Sequence, residues 1–155
     1  MLDNYAPNPM EKSLEILNFT ADGYKPLVFS GDWQVAQLNW EPIFDLENAG
    51  EIERHVNSDE VFVLWKGKAT LFVSSQEGMQ ILEMERGVVY NVRKGVWHNL
   101  LSTRDAAWII VETRDTHLHD TEIRQMTAEE WDTLQENLPS WIEKKTVFQL
   151  RTRGE

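Results

Sequence analysis

From residue 14 to residue 112 the chain is a succession of short apolar or alternating runs: LEILNF, PLVF, WQVAQLNW, EIERHV, EVFVLW, ATLFV, QILEME, VVYNV, WHNLL and WIIVE. This rhythm restricts the fold more than any other feature. Between the runs stand Asp22-Gly23, Gly31-Asp32, Asn57-Ser58-Asp59, Lys66-Gly67, Glu77-Gly78, Arg86-Gly87 and Lys94-Gly95. Each supplies the turn chemistry that a hairpin needs. Strands recurring this often must pair antiparallel, because a parallel pair needs a long crossover and no helical stretch of that length intervenes. The expectation is an all-β sandwich or closed barrel.

After residue 120 the period changes. Thr127-Ala128-Glu129-Glu130 has the pattern of a capping box, in which Thr127 and Glu130 satisfy the first free amides of a helix. The helix is expected over about 128–138, with Trp131, Leu134 and Leu138 on its apolar face and Pro139 ending or kinking it. The tail beyond it reads as a second short helix and an edge strand through VFQL. The chain divides into an arm over 1–13, punctuated by Pro7 and Pro9, a barrel over 14–120, and a C-terminal helical segment and tail over 121–155 packed on the barrel.

At 155 residues the chain fits one domain with a sizeable core. Acidic residues outnumber basic ones 26 to 15, a net charge of −11 that repels phosphate backbones and anionic lipid headgroups. Nucleic acid and membrane partners are therefore not expected, and no apolar run is long enough for a membrane span. The absence of cysteine removes disulfides, thiolate ligands and cysteine nucleophiles together, so any metal must be held by His and carboxylate. The N-terminus carries acids and prolines where a secretory signal needs a basic start and an apolar run, which makes a cytoplasmic protein the default.

The chemistry concentrates in two stretches. In EIERHVNSDEVFVLWKG, Glu53 and His55 are two residues apart and share a strand face. The polar turn Asn57-Ser58-Asp59 then starts a new strand at Glu60, and a carboxylate opening the apolar run VFVLW is buried and in need of a partner. In the second stretch, Gly95 bends the chain ahead of His98. By strand parity Phe62 and Leu64 go with Glu60, while Tyr90 and Val92 go with His98. Those four are the expected cavity wall, with the Tyr90 hydroxyl a candidate general acid. Trp97 points the other way.

With these residues in place, the sequence resembles the cupin superfamily. Glu60 and Gly67 reproduce the spacing that ends its first motif; of the usual His-x-His upstream only His55 stands, with Glu53 in the other position. In the second motif Gly87, Gly95 and His98 match, with Arg93 where the family has Pro and Ser102 where it has Asn. The resemblance is strong over about 50–112. It implies a double-stranded β-helix, a jelly-roll barrel with a short C-terminal helix, and a divalent metal (Mn, Fe, Ni or Zn) on His55, Glu60 and His98. Glu53 would be the substituted fourth ligand, with Asn57 its rival. Two carboxylates neutralise a divalent ion, which favours orienting a chelating substrate over generating metal hydroxide.

Three functions follow. The first is a small metal enzyme acting on a polar metabolite, a sugar or hydroxy/keto acid, by isomerisation, epimerisation or lyase chemistry, with His98 or Glu60 moving the proton where not ligated. The second is a non-catalytic sugar- or metabolite-binding module, and the third is metal-free acid–base catalysis by a His–Glu pair. Seven tryptophans invite sugar stacking, with Trp33, Trp40 and Trp65 among those in strands, although most read as core. His117 and His119 lie in a polar stretch and read as exposed. The resemblance and the N-terminal arm together point to a homodimer.

Overall fold

The computed structural model describes residues 13–143. The arm over 1–12 and the strand expected through VFQL lie outside the described residues. Ten strands form two five-stranded antiparallel sheets. The first runs in the order β1 (Gly23–Ser30), β2 (Trp33–Asn39), β9 (Ala107–Thr113), β4 (Glu60–Lys66), β7 (Val89–Val92). The second runs β10 (Thr121–Gln125), β3 (Glu51–His55), β8 (Trp97–Ser102), β5 (Ala69–Ser75), β6 (Gly78–Glu83). From β3 onward the chain crosses between the sheets at every step except the β5–β6 hairpin, so the other neighbours in sequence face each other across the barrel. This is the jelly-roll arrangement. A 3₁₀ turn at Pro42–Phe44 precedes β3, and a single helical turn, α1 (Thr116–His119), precedes β10.

The sequence pattern explains the layering. In β4 Glu60, Phe62 and Leu64 are buried while Val61 and Val63 are only half-buried, an alternation with the period of a strand that has one face inward. Leu38, Phe44, Leu64, Leu71, Leu100, Trp108 and Ile110 meet between the sheets as the main core. A second cluster forms on the outer face of the second sheet, where Ile52, Phe72 and Leu101 pack under Leu134 of helix α2 (Ala128–Glu136). Burying Leu134 fully contributes about 2 kcal/mol.

The capping box forms as the sequence predicts: Glu130 N–H donates to Thr127 Oγ1 at 3.2 Å and Thr127 N–H to Glu130 Oε2 at 2.8 Å. Glu130 also receives both terminal nitrogens of Arg124 at 2.8 Å, which ties the helix to β10. Trp97 stands on this outer side with Arg54 and Arg124 each 4.6 Å from its ring. Among the described residues no helix is long and apolar enough to cross a membrane.

Three expectations change. The run LEILNF forms no strand: Leu14, Ile16 and Leu17 are exposed, and the Phe19 carbonyl takes the side-chain amides of Gln37 and Asn39 in place of a ladder partner. At the other end the sheet continues past residue 120, since β10 pairs along the whole of β3. The helix also closes at Glu136, two residues short of the apolar pattern, with Leu138 packing as part of the following turn.

Gly67 shows why one turn residue is fixed. Its φ is +74°, and a Cβ added there would lie 2.6 Å from Ala106 Cα and 2.7 Å from Ala106 N. Both partners are backbone and cannot swing aside. Gly67→Ala is expected to lower stability by about 2 kcal/mol or more, read as a drop in urea midpoint at unchanged slope.

Candidate active site

Antiparallel register builds the site. Glu53 on β3 pairs directly with His98 on β8, and Glu60 on β4 pairs with both Val92 and Glu112. Gly95, at φ +79°, turns the chain into β8 while its N–H donates to the His55 carbonyl at 2.6 Å. The structure thereby brings together Glu53, His55, Glu60 and His98, whose ligand atoms all lie within 4.8 Å of one another.

The contacts orient each group. His55 Nε2 lies 3.0 Å and His98 Nε2 2.9 Å from the same Glu60 Oε2. His98 Nδ1 faces the Val96 carbonyl at 3.0 Å, an atom that only accepts, so Nδ1 carries the proton and Nε2 its lone pair. The Thr121 hydroxyl donates to the Thr116 carbonyl, which leaves its oxygen to accept from His55 Nδ1 at 3.2 Å. The network therefore assigns both imidazoles the tautomer that aims Nε2 into the cavity. Two lone pairs and a carboxylate oxygen converging in this way need a cation between them, either protons or a metal ion.

A metal fits the spacing. With ligand bonds of about 2.1 Å, two ligands at a right angle lie about 3 Å apart; the two Nε2–Oε2 distances have that value. Glu53 Oε1 lies 4.0 Å from His98 Nε2 and would complete the ligand set. Two imidazoles with two carboxylates suit Mn, Fe, Ni or Zn.

Electrostatics separate the carboxylates. Burial pushes Glu60 up, but the hydrogen bonds and charges of His55 and His98 outweigh it and hold the group at about 2. Burial pulls both histidines down; bonding to Glu60 and the charges of Glu60 and Glu53 outweigh this and leave them raised. Glu53 is raised by burial and by the nearby Glu60. Its side chain is 40% exposed, yet that exposure is to the cavity, where other acids lie close.

A second polar group, invisible in the sequence motifs, faces this one. Glu112 on β9 is buried; its Oε1 accepts from Tyr24 in a very short hydrogen bond and from Gln34 Nε2 at 2.8 Å. Gln34 Nε2 also approaches the Tyr24 oxygen at 2.8 Å and His117 Nδ1 at 3.2 Å. Burial and the charge of Glu60 raise Glu112, outweighing the bonds from Tyr24 and Gln34. Burial and Glu112 together keep the Tyr24 hydroxyl protonated. Both groups line one cavity of about 300 Å³, the lower end of the range for small-molecule pockets.

Other expected site residues lie elsewhere. Tyr90 faces inward, but its hydroxyl accepts the Glu85 N–H at 2.8 Å and it is not on the cavity wall. Leu64 and Val92 are core; of the four expected wall residues, Phe62 lines the cavity. Asn57 is exposed and committed to Asp120, which accepts its backbone and side-chain nitrogens. His117 is not exposed but lines the cavity and packs 5.1 Å from the Tyr24 ring, whereas His119 is exposed. Trp33 and Trp65 are about half exposed and outside the cavity; Trp108 is the fully buried tryptophan of the core.

No protein-family model matches the chain, and no curated protein matches it. Solved structures do. PAC13 from Streptomyces, determined with uridine, is similar at TM-score 0.51 and 11% identity over 72% of this chain and 88% of that one. A cupin-2 domain containing protein from Shewanella frigidimarina gives 0.46 and 24% over 62% and 85%. KdgF from Halomonas sp. gives 0.47 and 13% over 61% and 82%. At such identities the likeness is one of fold.

Proposed function

The chain has the cupin fold, and from the site that this fold carries we propose a divalent-metal enzyme acting on a polar, oxygen-rich metabolite. The substrate belongs to the sugar or hydroxy/keto acid class, and the chemistry is isomerisation, epimerisation or lyase-type elimination. The observation that carries the reading is the convergence of two Nδ1-anchored imidazoles on one oxygen of Glu60, with Glu53 completing the set. A bound divalent ion would polarise chelating oxygens and acidify the adjoining C–H.

Residues beyond the ligands supply the rest. His55, His98, Glu60 and Glu53 would hold the ion, so a proton must move on another group. Glu112 is suited to move it, with Oε1 tied to Tyr24 and Gln34 and Oε2 facing the cluster 3.9 Å from His55 Nε2. Its raised proton affinity brings it nearer to the working range of a general base. Tyr24, held protonated, fixes Oε1 and leaves Oε2 free both to take the proton and to return it. Metal-free acid–base chemistry is the second reading, favoured by the direct bonding of both histidines to Glu60, which closes the cluster on itself.

Metal content of protein purified without chelator or nickel affinity separates the readings, measured beside His98→Ala and Glu53→Gln. A near-stoichiometric ion in the wild type, lost in His98→Ala, is expected. Loss in Glu53→Gln as well would make Glu53 a ligand. No metal in the wild type, and no uptake when Mn, Fe, Ni or Zn is offered, would overturn the metal reading in favour of the second.

A further inference from the structure

The cavity wall contains five glutamates and three histidines, and no lysine or arginine among the described residues. Besides Glu53, Glu60 and Glu112, the acids are Glu41 and Glu51. Sites that recognise carboxylate or phosphate present a guanidinium, an ammonium or a cluster of unpaired backbone N–H groups. Here the exposed guanidinium of Arg54 is turned outward to Trp97 and Glu122, and Arg124 is bound to Glu130. A divalent ion does not change the sign: two positive charges stand against Glu53, Glu60 and Glu112 close by.

The oxygens of Glu112 and Glu53 that remain toward the cavity accept hydrogen bonds. Glu112 has used Oε1 on Tyr24 and Gln34, and its Oε2 is beyond hydrogen-bond length from His55 at 3.9 Å. Glu53 reaches His98 only at 4.0 Å. These oxygens match donors on the ligand, and hydroxyl groups are donors without charge.

Resting on the reading of this cavity as a polar-metabolite site, we propose that Glu112, with Tyr24 and Gln34 behind it, is the recognition half of the cavity and selects a neutral, hydroxyl-rich ligand while turning away carboxylates and phosphates. This narrows the substrate class from sugars and hydroxy/keto acids to uncharged polyols and sugars. An acid brought beside Glu112 and Glu53 meets like charge, with Glu41 and Glu51 also on the wall and no lysine or arginine there to offset them.

The test is saturation-transfer NMR on the full chain, metal-free and zinc-loaded, with matched probes: D-glucose against D-glucuronate and D-glucose 6-phosphate, D-galactose against D-galacturonate, and D-glucosamine as the cation. The neutral sugars are expected to bind, with each anionic counterpart at least about tenfold weaker. Glu112→Gln should narrow that gap to about threefold or less, because it removes the charge and keeps the shape. Anions binding as well as the neutral sugars, glucosamine binding about tenfold better than glucose, or no neutral probe binding in either form would each overturn the proposal. Zinc uptake is measured in the same samples. Failure to take up zinc sinks the metal reading alone, and a preference for uronates with zinc bound sinks this proposal alone.

Discussion

Glu60→Gln is expected to abolish stoichiometric metal binding and to destabilise the metal-free protein by about 3 kcal/mol at pH 6. Glu60 is almost entirely buried, and one of its oxygens serves both His55 and His98. The amide keeps the volume, so no cavity opens. What is lost is the anion that holds protons on two imidazoles which are themselves buried. Without it, burial draws both histidines down, and a neutral amide donating to their Nε2 lone pairs replaces two buried charge-assisted bonds with weaker ones. Urea unfolding at pH 6 and pH 8 checks the assignment. The deficit should shrink as pH rises through the raised histidine values, where the wild type also loses those protons. An equal loss at both pH values would mean that Glu60 contributes through packing, and retained stoichiometric metal would remove it from the ligand set.

The strands are legible because each is a short apolar or alternating run bounded by turn residues whose backbone demands are local; Gly67 and Gly95, both at positive φ, are examples. His55, Glu60 and His98 are legible as one site through the resemblance to the two cupin motifs, and Glu53 follows from His55 by parity. The second half of the cavity is not. Glu112, Tyr24 and Gln34 come from three different strands, and only the pairing of Glu60 with Glu112 across β4 and β9 places them beside the cluster. A faint signal existed, since Glu112 is in phase with Trp108 and Ile110, both buried, so an acid on a core-facing position was readable as a group in need of partners.

Tyr90 shows the limit of parity. It faces inward as expected, but it pairs with Phe62 where Val92 pairs with Glu60. Two residues along a strand are about 7 Å, which carries its hydroxyl away from the cluster to Glu85. His117 failed in the opposite direction. Its polar neighbours suggested solvent, but Asp115, at φ +61°, turns the chain into a single helical turn that presents His117 to Tyr24. Neither depth along the barrel nor the landing of one turn is written in a local pattern.

Metal-free and metal-bound protein should respond to pH with opposite sign. In the metal-free form His55 and His98 are raised, so their contribution is complete below about pH 6.5 and is lost as pH rises through their folded values. Glu53 and Glu112 are raised as well, and their burial weighs against the fold increasingly as pH climbs past the ordinary carboxylate range. Glu60, held at about 2, contributes above the ordinary carboxylate value and loses its contribution only as pH falls toward 2. The metal-free site is therefore most favourable to folding between roughly pH 4.5 and 6.5, and less so as pH rises through the histidine values. Metal binding needs both Nε2 atoms unprotonated, so affinity rises by about tenfold to a hundredfold per pH unit below the histidine values, for one or two protons displaced. At a metal concentration about a hundred times Kd the folded state gains about 2.7 kcal/mol. Thermal unfolding with manganese and with chelator at pH 6, 7 and 8 should show the Tm gap widening with pH as the chelated protein weakens. A gap that is flat or narrows would mean that the ion binds away from His55 and His98.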